Sequence, residues 1–141
     1  MEHCSIGIEG INQLGKVIQT TTNKIQLLNV SGNKVGDEVL RVIGSSINKI
    51  YKLYIETNKI TSIGIQYLPD LNTLTTINLY GNTIGKEGAQ ELGNRVKSKL
   101  RKLILEKCNI GDEGTMDIGR AMEDCKSVQL LILSNLMYNG R

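Results

Sequence analysis

Few residues in this chain are equipped for chemistry: three cysteines (Cys4, Cys108, Cys125), a single histidine (His3) and two acidic pairs, Asp37/Glu38 and Asp112/Glu113. Three cysteines make an odd set without a CxxC pair. A disulfide framework or a structural zinc site is therefore not expected, and a reducing compartment is. Nucleophilic catalysis would have to recruit His3 near the terminus, and no nucleophile motif accompanies it. The glycines match neither G-x-x-x-x-G-K-[ST] nor a strand-linked G-x-G-x-x-G. The acidic pairs recur where helix patterns begin, the place where carboxylates favour the unpaired N–H groups of a first turn. These residues predict a non-enzymatic protein with no cofactor and no metal.

The elements that must position these residues come as a repeat. In four stretches the pattern L-x-x-L-x-L leads to a polar residue three positions on: Ile25, Leu28, Val30 to Asn33; Ile50, Leu53, Ile55 to Asn58; Leu74, Ile77, Leu79 to Asn82; Leu100, Leu103, Leu105 to Cys108. With Cys4, these anchor residues lie 29, 25, 24 and 26 residues apart. The L-x-L part alternates with period two, as a short half-buried strand does. Two residues past each anchor stands another aliphatic, Ile6, Val35, Ile60, Ile84 or Ile110, and one residue later a glycine, with Thr61 the exception. A helical stripe follows at i, i+3, i+4, i+7, as in Leu40, Ile43, Gly44, Ile47 or Ala89, Leu92, Gly93, Val96. Its central glycine is costly in a helix, roughly 1 kcal/mol against alanine, so its recurrence implies a close backbone approach. Pro69 stands there in the third unit and should end that helix early.

The units divide the chain into a half-repeat (1–24), repeats of about 25–49, 50–73, 74–99 and 100–127, and a partial repeat (128–141). The last has two registers. Val128, Leu131, Leu133, Leu136 fills every apolar site, and Leu130, Ile132, Asn135 keeps an asparagine; the first is preferred. Cys125 falls near a helix end and is expected to be exposed.

L-x-x-L-x-L-x-x-(N/C)-x-I resembles the leucine-rich-repeat signature. The continuations Asn82-Thr83-Ile84-Gly85-Lys86-Glu87-Gly88 and Cys108-Asn109-Ile110-Gly111-Asp112-Glu113-Gly114 resemble its ribonuclease-inhibitor-like subclass. The resemblance implies an α/β solenoid, a curved horseshoe of one domain over 1–141 with parallel strands on the concave face and helices on the convex face. Asn33, Asn58, Asn82, Cys4 and Cys108 then form a structural ladder inside it. Glycine and Pro69 within the helices depart from the commoner small alanines.

On such a frame the strand residues between buried leucines face outward, and the partner-binding candidates are Tyr51, Lys52, Tyr54, Glu56, Asn78, Tyr80, Arg101, Lys102, Ile104 and Glu106. Tyrosine, arginine and exposed aliphatics are frequent interface anchors. A protein partner bound on this concave face is the expected function. Two alternatives follow from the resemblance: a small-GTPase regulator resembling Ran-type GTPase-activating proteins, or a fragment of a larger leucine-rich-repeat receptor or actin-associated protein.

Charge bounds the partners further. Over 141 residues, 17 basic and 14 acidic residues leave a net +3, too balanced for a dedicated nucleic-acid binder. The run Lys97, Lys99, Arg101, Lys102, Lys107 reads as a solvated helix end and strand edge, because an anion patch would need neighbours from other coils. No apolar run approaches the ~20 residues of a membrane span, and no signal-peptide pattern opens the chain, so a cytoplasmic location is expected. Uncapped solenoid ends are expected to allow self-association.

Overall fold

The computed structural model describes residues 6–134. Five short strands, β1 Leu28–Asn29, β2 Lys52–Tyr54, β3 Thr76–Asn78, β4 Lys102–Ile104 and β5 Leu130–Ile132, form one parallel sheet in sequential order. Between them run the helices α1 Ile8–Thr20, α2 Glu38–Ile43, α3 Ser62–Ile65, α4 Gly85–Arg95 and α5 Gly111–Glu123, with a 3-10 helix at Gly44–Lys49. The register is the sequence repeat made physical: Leu28, Leu53, Ile77, Leu103 and Leu131 pair in one row across the sheet. Leu131 joins that row, so the last repeat keeps the fully apolar register; its anchor Leu136, like Cys4 and His3, lies outside the described residues.

One core runs the length of the stack. Leu53, Ile55, Leu74, Ile77, Leu79, Leu100, Leu103 and Leu105 are all fully buried, as are Ile11, Leu40, Ile65, Leu92 and Ile118 from the helices. Apolar transfer at about 25 cal/mol per Å² makes this layer the main stabilising term.

The ladder closes the inner edge of the core. Asn82 donates through Nδ2 to the carbonyls of Ile55 and Leu79, both at 2.9 Å, and its Oδ1 accepts the N–H groups of Asn58 and Ile60 at 2.9 and 3.0 Å. Asn58 repeats the scheme one coil earlier, donating to Val30 and Glu56 and accepting from Asn33. Cys108 fills the same slot, its Sγ donating to the Leu79 carbonyl at 3.1 Å. Burial pushes this thiol from the ordinary 9.0 to about 11, against the opposing pull of the Asn82 and Gly81 N–H groups. It is an inert structural thiol.

The helical glycine answers a repeated contact. A Cβ on Gly44 would lie 2.6 Å from the Tyr67 carbonyl oxygen, one on Gly93 3.5 Å from that of Asp117, and one on Gly15 3.6 Å from that of Val42. In each pair the carbonyl belongs to the residue two before the equivalent position in the next coil. At Gly44 the neighbouring backbone itself leaves no room for a Cβ, whereas at Gly15 and Gly93 the nearest atoms belong to the side chains of Val42 and Ala121 and the carbonyls lie at ordinary contact distance.

The helices differ from expectation in two places and confirm it in a third. The stripe through Ile47 does not stay α-helical: past Gly44 the chain tightens into the 3-10 turn, which Ser45, Ser46 and Asn48 favour over a longer helix. Ile47 still reaches the core. Cys125 is buried rather than exposed, at 6% accessibility, with Sγ 3.3 Å from the Lys97 carbonyl. Ahead of Pro69, α3 is a single turn as predicted, and Arg95 Nε from the following coil caps the Leu68 carbonyl at 2.6 Å. Among the described residues no helix is long and apolar enough to cross a membrane.

Candidate functional site

Three rows of side chains cross the strand face. Strand pairing aligns Lys52, Thr76, Lys102 and Leu130 in the first row and Asn29, Tyr54, Asn78, Ile104 and Ile132 in the second. The third lies just past the strands, where backbone bonds link Gly32 to Glu56, Thr57 to Tyr80, Gly81 to Glu106 and Lys107 to Ser134. It therefore reads Ser31, Glu56, Tyr80, Glu106, Ser134. Neighbouring members of a row are about 4.8 Å apart, so Tyr80 stands between two carboxylates and diagonally from Tyr54.

Tyr54, Glu56, Tyr80, Ile104 and Glu106 are half-buried, while Lys52, Arg101 and Lys102 are exposed and Tyr51 is half-buried at the strand entry. Asn78 is the odd one. It is only 8% accessible, and its Oδ1 holds the Tyr80 N–H at 3.0 Å. Asn29 does the same for Ser31, at 3.0 Å. Both amides shape the strand exit locally, and such self-bonding is a habit of asparagine that alternation alone does not reveal.

Tyr80 is also held from above. The Lys107 ammonium lies 5.5 Å from its ring centroid, and the interaction with Tyr80 raises the lysine's pKa above its ordinary value. Lys107 and Thr57 adopt left-handed backbone, φ +57° and +46°, at the turn position where Gly32 and Gly81 stand in other coils. That conformation aims Lys107 back over the sheet.

The acidic pairs do structural work. Asp37 accepts the Thr61 N–H at 2.6 Å and the Thr61 hydroxyl at 2.7 Å, holding the one turn that lacks glycine. Glu38 pairs with Arg41, which keeps its carboxyl below the ordinary carboxylate range, and Glu113 meets Lys86 at 3.3 Å. Among the described residues no cluster of His, Cys, Asp or Glu is arranged to hold a metal.

The basic run does not stay together. Lys97 turns to Asp70 at 3.8 Å and Lys107 covers Tyr80, whereas Lys99 and Arg101 line a groove of about 440 Å³ at the strand entries. That groove also takes Lys24, Tyr51, Thr75 and Ser127 from other coils. Lys24 and Ser127 were not singled out from the sequence. Their signal is positional, since Lys24, Lys49, Thr73, Lys99 and Ser127 each stand four residues ahead of the paired row.

A Leucine Rich repeat family model matches residues 23–43, 70–93 and 96–119. The chain is 26% identical to ribonuclease inhibitor of Mus musculus over 148 residues, covering 97% of this chain and 32% of that protein. It is 25% identical over 138 residues to NACHT, LRR and PYD domains-containing protein 5 of Homo sapiens, covering 89% of this chain and 11% of that one. The chain thus spans a third or less of these relatives. Among solved structures it resembles leiomodin-1 actin-binding site 2, with a TM-score of 0.63 at 20% identity, over 84% of this chain and 73% of that one. Repeat, register, anchor ladder and these matches agree: the chain is a leucine-rich-repeat protein of the ribonuclease-inhibitor-like kind.

Proposed function

We propose that the chain is a non-enzymatic, cytoplasmic interaction module, one repeat domain over 1–141, that binds a protein partner through its concave strand face. The observation that carries this reading is the composition of the third row. Leucines, anchors and glycines repeat from coil to coil, while the row Ser31, Glu56, Tyr80, Glu106 changes at every step. Tyr54, Tyr80 and Ile104 supply apolar contact area, and Lys52, Glu56, Arg101, Lys102 and Glu106 surround them with charges of both signs, a mixture suited to a protein surface. Mixed charge on the same face disfavours nucleic acid and anionic membrane as the main ligand. The leucine-rich-repeat family and its ribonuclease-inhibitor relative support a binding role.

The test is affinity capture from the native source with the wild-type chain, with Tyr54→Ala/Tyr80→Ala, and with Gln90→Ala/Asn94→Ala on the convex side as control. The concave variant is expected to lose the partner captured by the other two. Equal capture by all three would overturn the site. A second reading, an actin-associated protein, draws on the leiomodin-1 neighbour, and co-sedimentation with filamentous actin separates it from the first.

A further inference from the structure

We infer that the groove at the strand entries is an anion-recognition site, and that it takes an extended, acidic or phosphorylated peptide segment of the protein partner. This rests on the proposed concave-face reading and names the chemistry of what binds beside it.

Three cations line the groove, Lys24, Lys99 and Arg101, with the hydroxyls of Tyr51, Thr75 and Ser127 between and around them, and no carboxylate is among the lining residues. The ion pairs among the described residues involve other groups, so neither Lys99 nor Arg101 is neutralised by a carboxylate. Lys24 donates one N–H to the Asn48 carbonyl at 2.9 Å, which fixes its ammonium while leaving it charged. Exposed Lys52 and Lys102 extend the same positive edge. The nearest strand-face acids, Glu56 and Glu106, lie four residues further along the chain, about 13 Å away at 3.3 Å per extended residue. The strand entries are therefore uniformly positive, while the exits mix Glu56 and Glu106 with the Lys107 ammonium.

The register gives the groove a ruler. Lys24 and Lys99 are equivalent positions separated by three strand steps, through Lys49 and Thr73. Three steps of about 4.8 Å put the two backbone positions about 14 Å apart. An extended peptide covers that distance in about four residues, so anionic side chains at i and i+4 match the two ends. Arg101 presents a planar fork suited to bidentate phosphate or carboxylate binding, and the ammonium of Lys24 acts as a point charge at the far end. The Thr75 and Ser127 hydroxyls already donate to the Tyr51 and Leu100 carbonyls, at 3.0 and 2.5 Å, so it is the Tyr51 hydroxyl that can donate to the peptide backbone or to a phosphate.

The experiment uses the full chain and fluorescent nine-residue peptides with phosphoserine at i and i+4, at i alone, with glutamate at both positions, and with serine at both. The doubly phosphorylated peptide is expected to bind at least tenfold tighter than the serine peptide, with affinity falling as salt rises. Lys99→Glu/Arg101→Glu should remove that gain. In Lys24→Gln the doubly phosphorylated peptide should bind no better than the singly phosphorylated one. Glutamate peptides binding equally well would identify the segment as acidic rather than phosphorylated, still within the proposal. Equal binding of all four peptides, indifference to the charge reversal, or displacement of the peptide by single-stranded RNA at lower concentration than by free peptide would overturn it. Tyr54→Ala/Tyr80→Ala should keep peptide affinity while losing the partner, so failure of the groove and failure of the concave face give different results.

Discussion

At the residue scale the anchor positions carry the sharpest consequences. Asn82 is fully buried and makes four hydrogen bonds to the backbone of two coils. Asn82→Ala leaves those backbone groups without partners at a cost of about 3–4 kcal/mol, readable in guanidinium unfolding. Cys108 in the equivalent slot accepts less and donates weakly, and its deletion should cost less. Its thiol also makes a pH prediction. The folded pKa, about 11, lies above the ordinary 9.0, so the protein gains stability from the protonated thiol fully below pH 9 and loses it as pH climbs toward 11. Cys108→Ser should be less stable than wild type near neutrality, and the gap should narrow across that alkaline window. Reaction with iodoacetamide at pH 8 should likewise require unfolding. A gap independent of pH would sink the assignment.

At the element scale the helical glycine gives one position with two opposite outcomes. Gly44→Ala drives a Cβ to 2.6 Å from the Tyr67 carbonyl oxygen, a backbone atom that cannot swing away. A loss of about 2 kcal/mol is expected. Gly119 holds the equivalent place in α5, but it is exposed and a Cβ there meets nothing within 4 Å among the described residues. Gly119→Ala should therefore stabilise by roughly 1 kcal/mol through helix propensity alone. Thermal unfolding of the two variants decides it, and shifts of the same sign would contradict the close-approach account. The single-turn α3 shows how the stack tolerates a weak unit: Pro69 ends the helix, and Arg95 from the next coil satisfies the carbonyl left open.

At the scale of the whole molecule, the residues that hold the stack and those of the proposed recognition face are different. A solenoid is held by contacts between neighbouring coils, and here those are the leucine rows, the asparagine ladder and the glycine approach. Tyr54 and Tyr80 stand outside that frame, half-buried, with the Lys107 contact the main interaction of Tyr80 on its face. Their joint replacement by alanine should leave a cooperative unfolding transition, lowered by about 1–2 kcal/mol, which makes loss of partner interpretable as loss of surface. The cationic groove predicts in addition that capture of the partner weakens with salt.

What the sequence determined by itself is everything that recurs. A period-two apolar pattern, a fixed anchor and a change to period 3.6 are local signals, and repetition at 24 to 26 residues multiplies them until the strands, the register and even the last repeat through Leu133 are legible. The glycine's recurrence likewise announced a close approach before the neighbour was known. Which backbone fills that space, why Ile47 rides on a 3-10 turn, that Cys125 is buried and that Asn78 spends its amide on Tyr80 were decided only by the tertiary structure. The same holds for the groove: Lys24 and Lys99 are far apart in sequence, and they line one edge only because coils stack at about 4.8 Å. Periodicity specifies how each coil is built; contact between coils, set by side-chain packing and by where the backbone can approach, specifies what the surface offers.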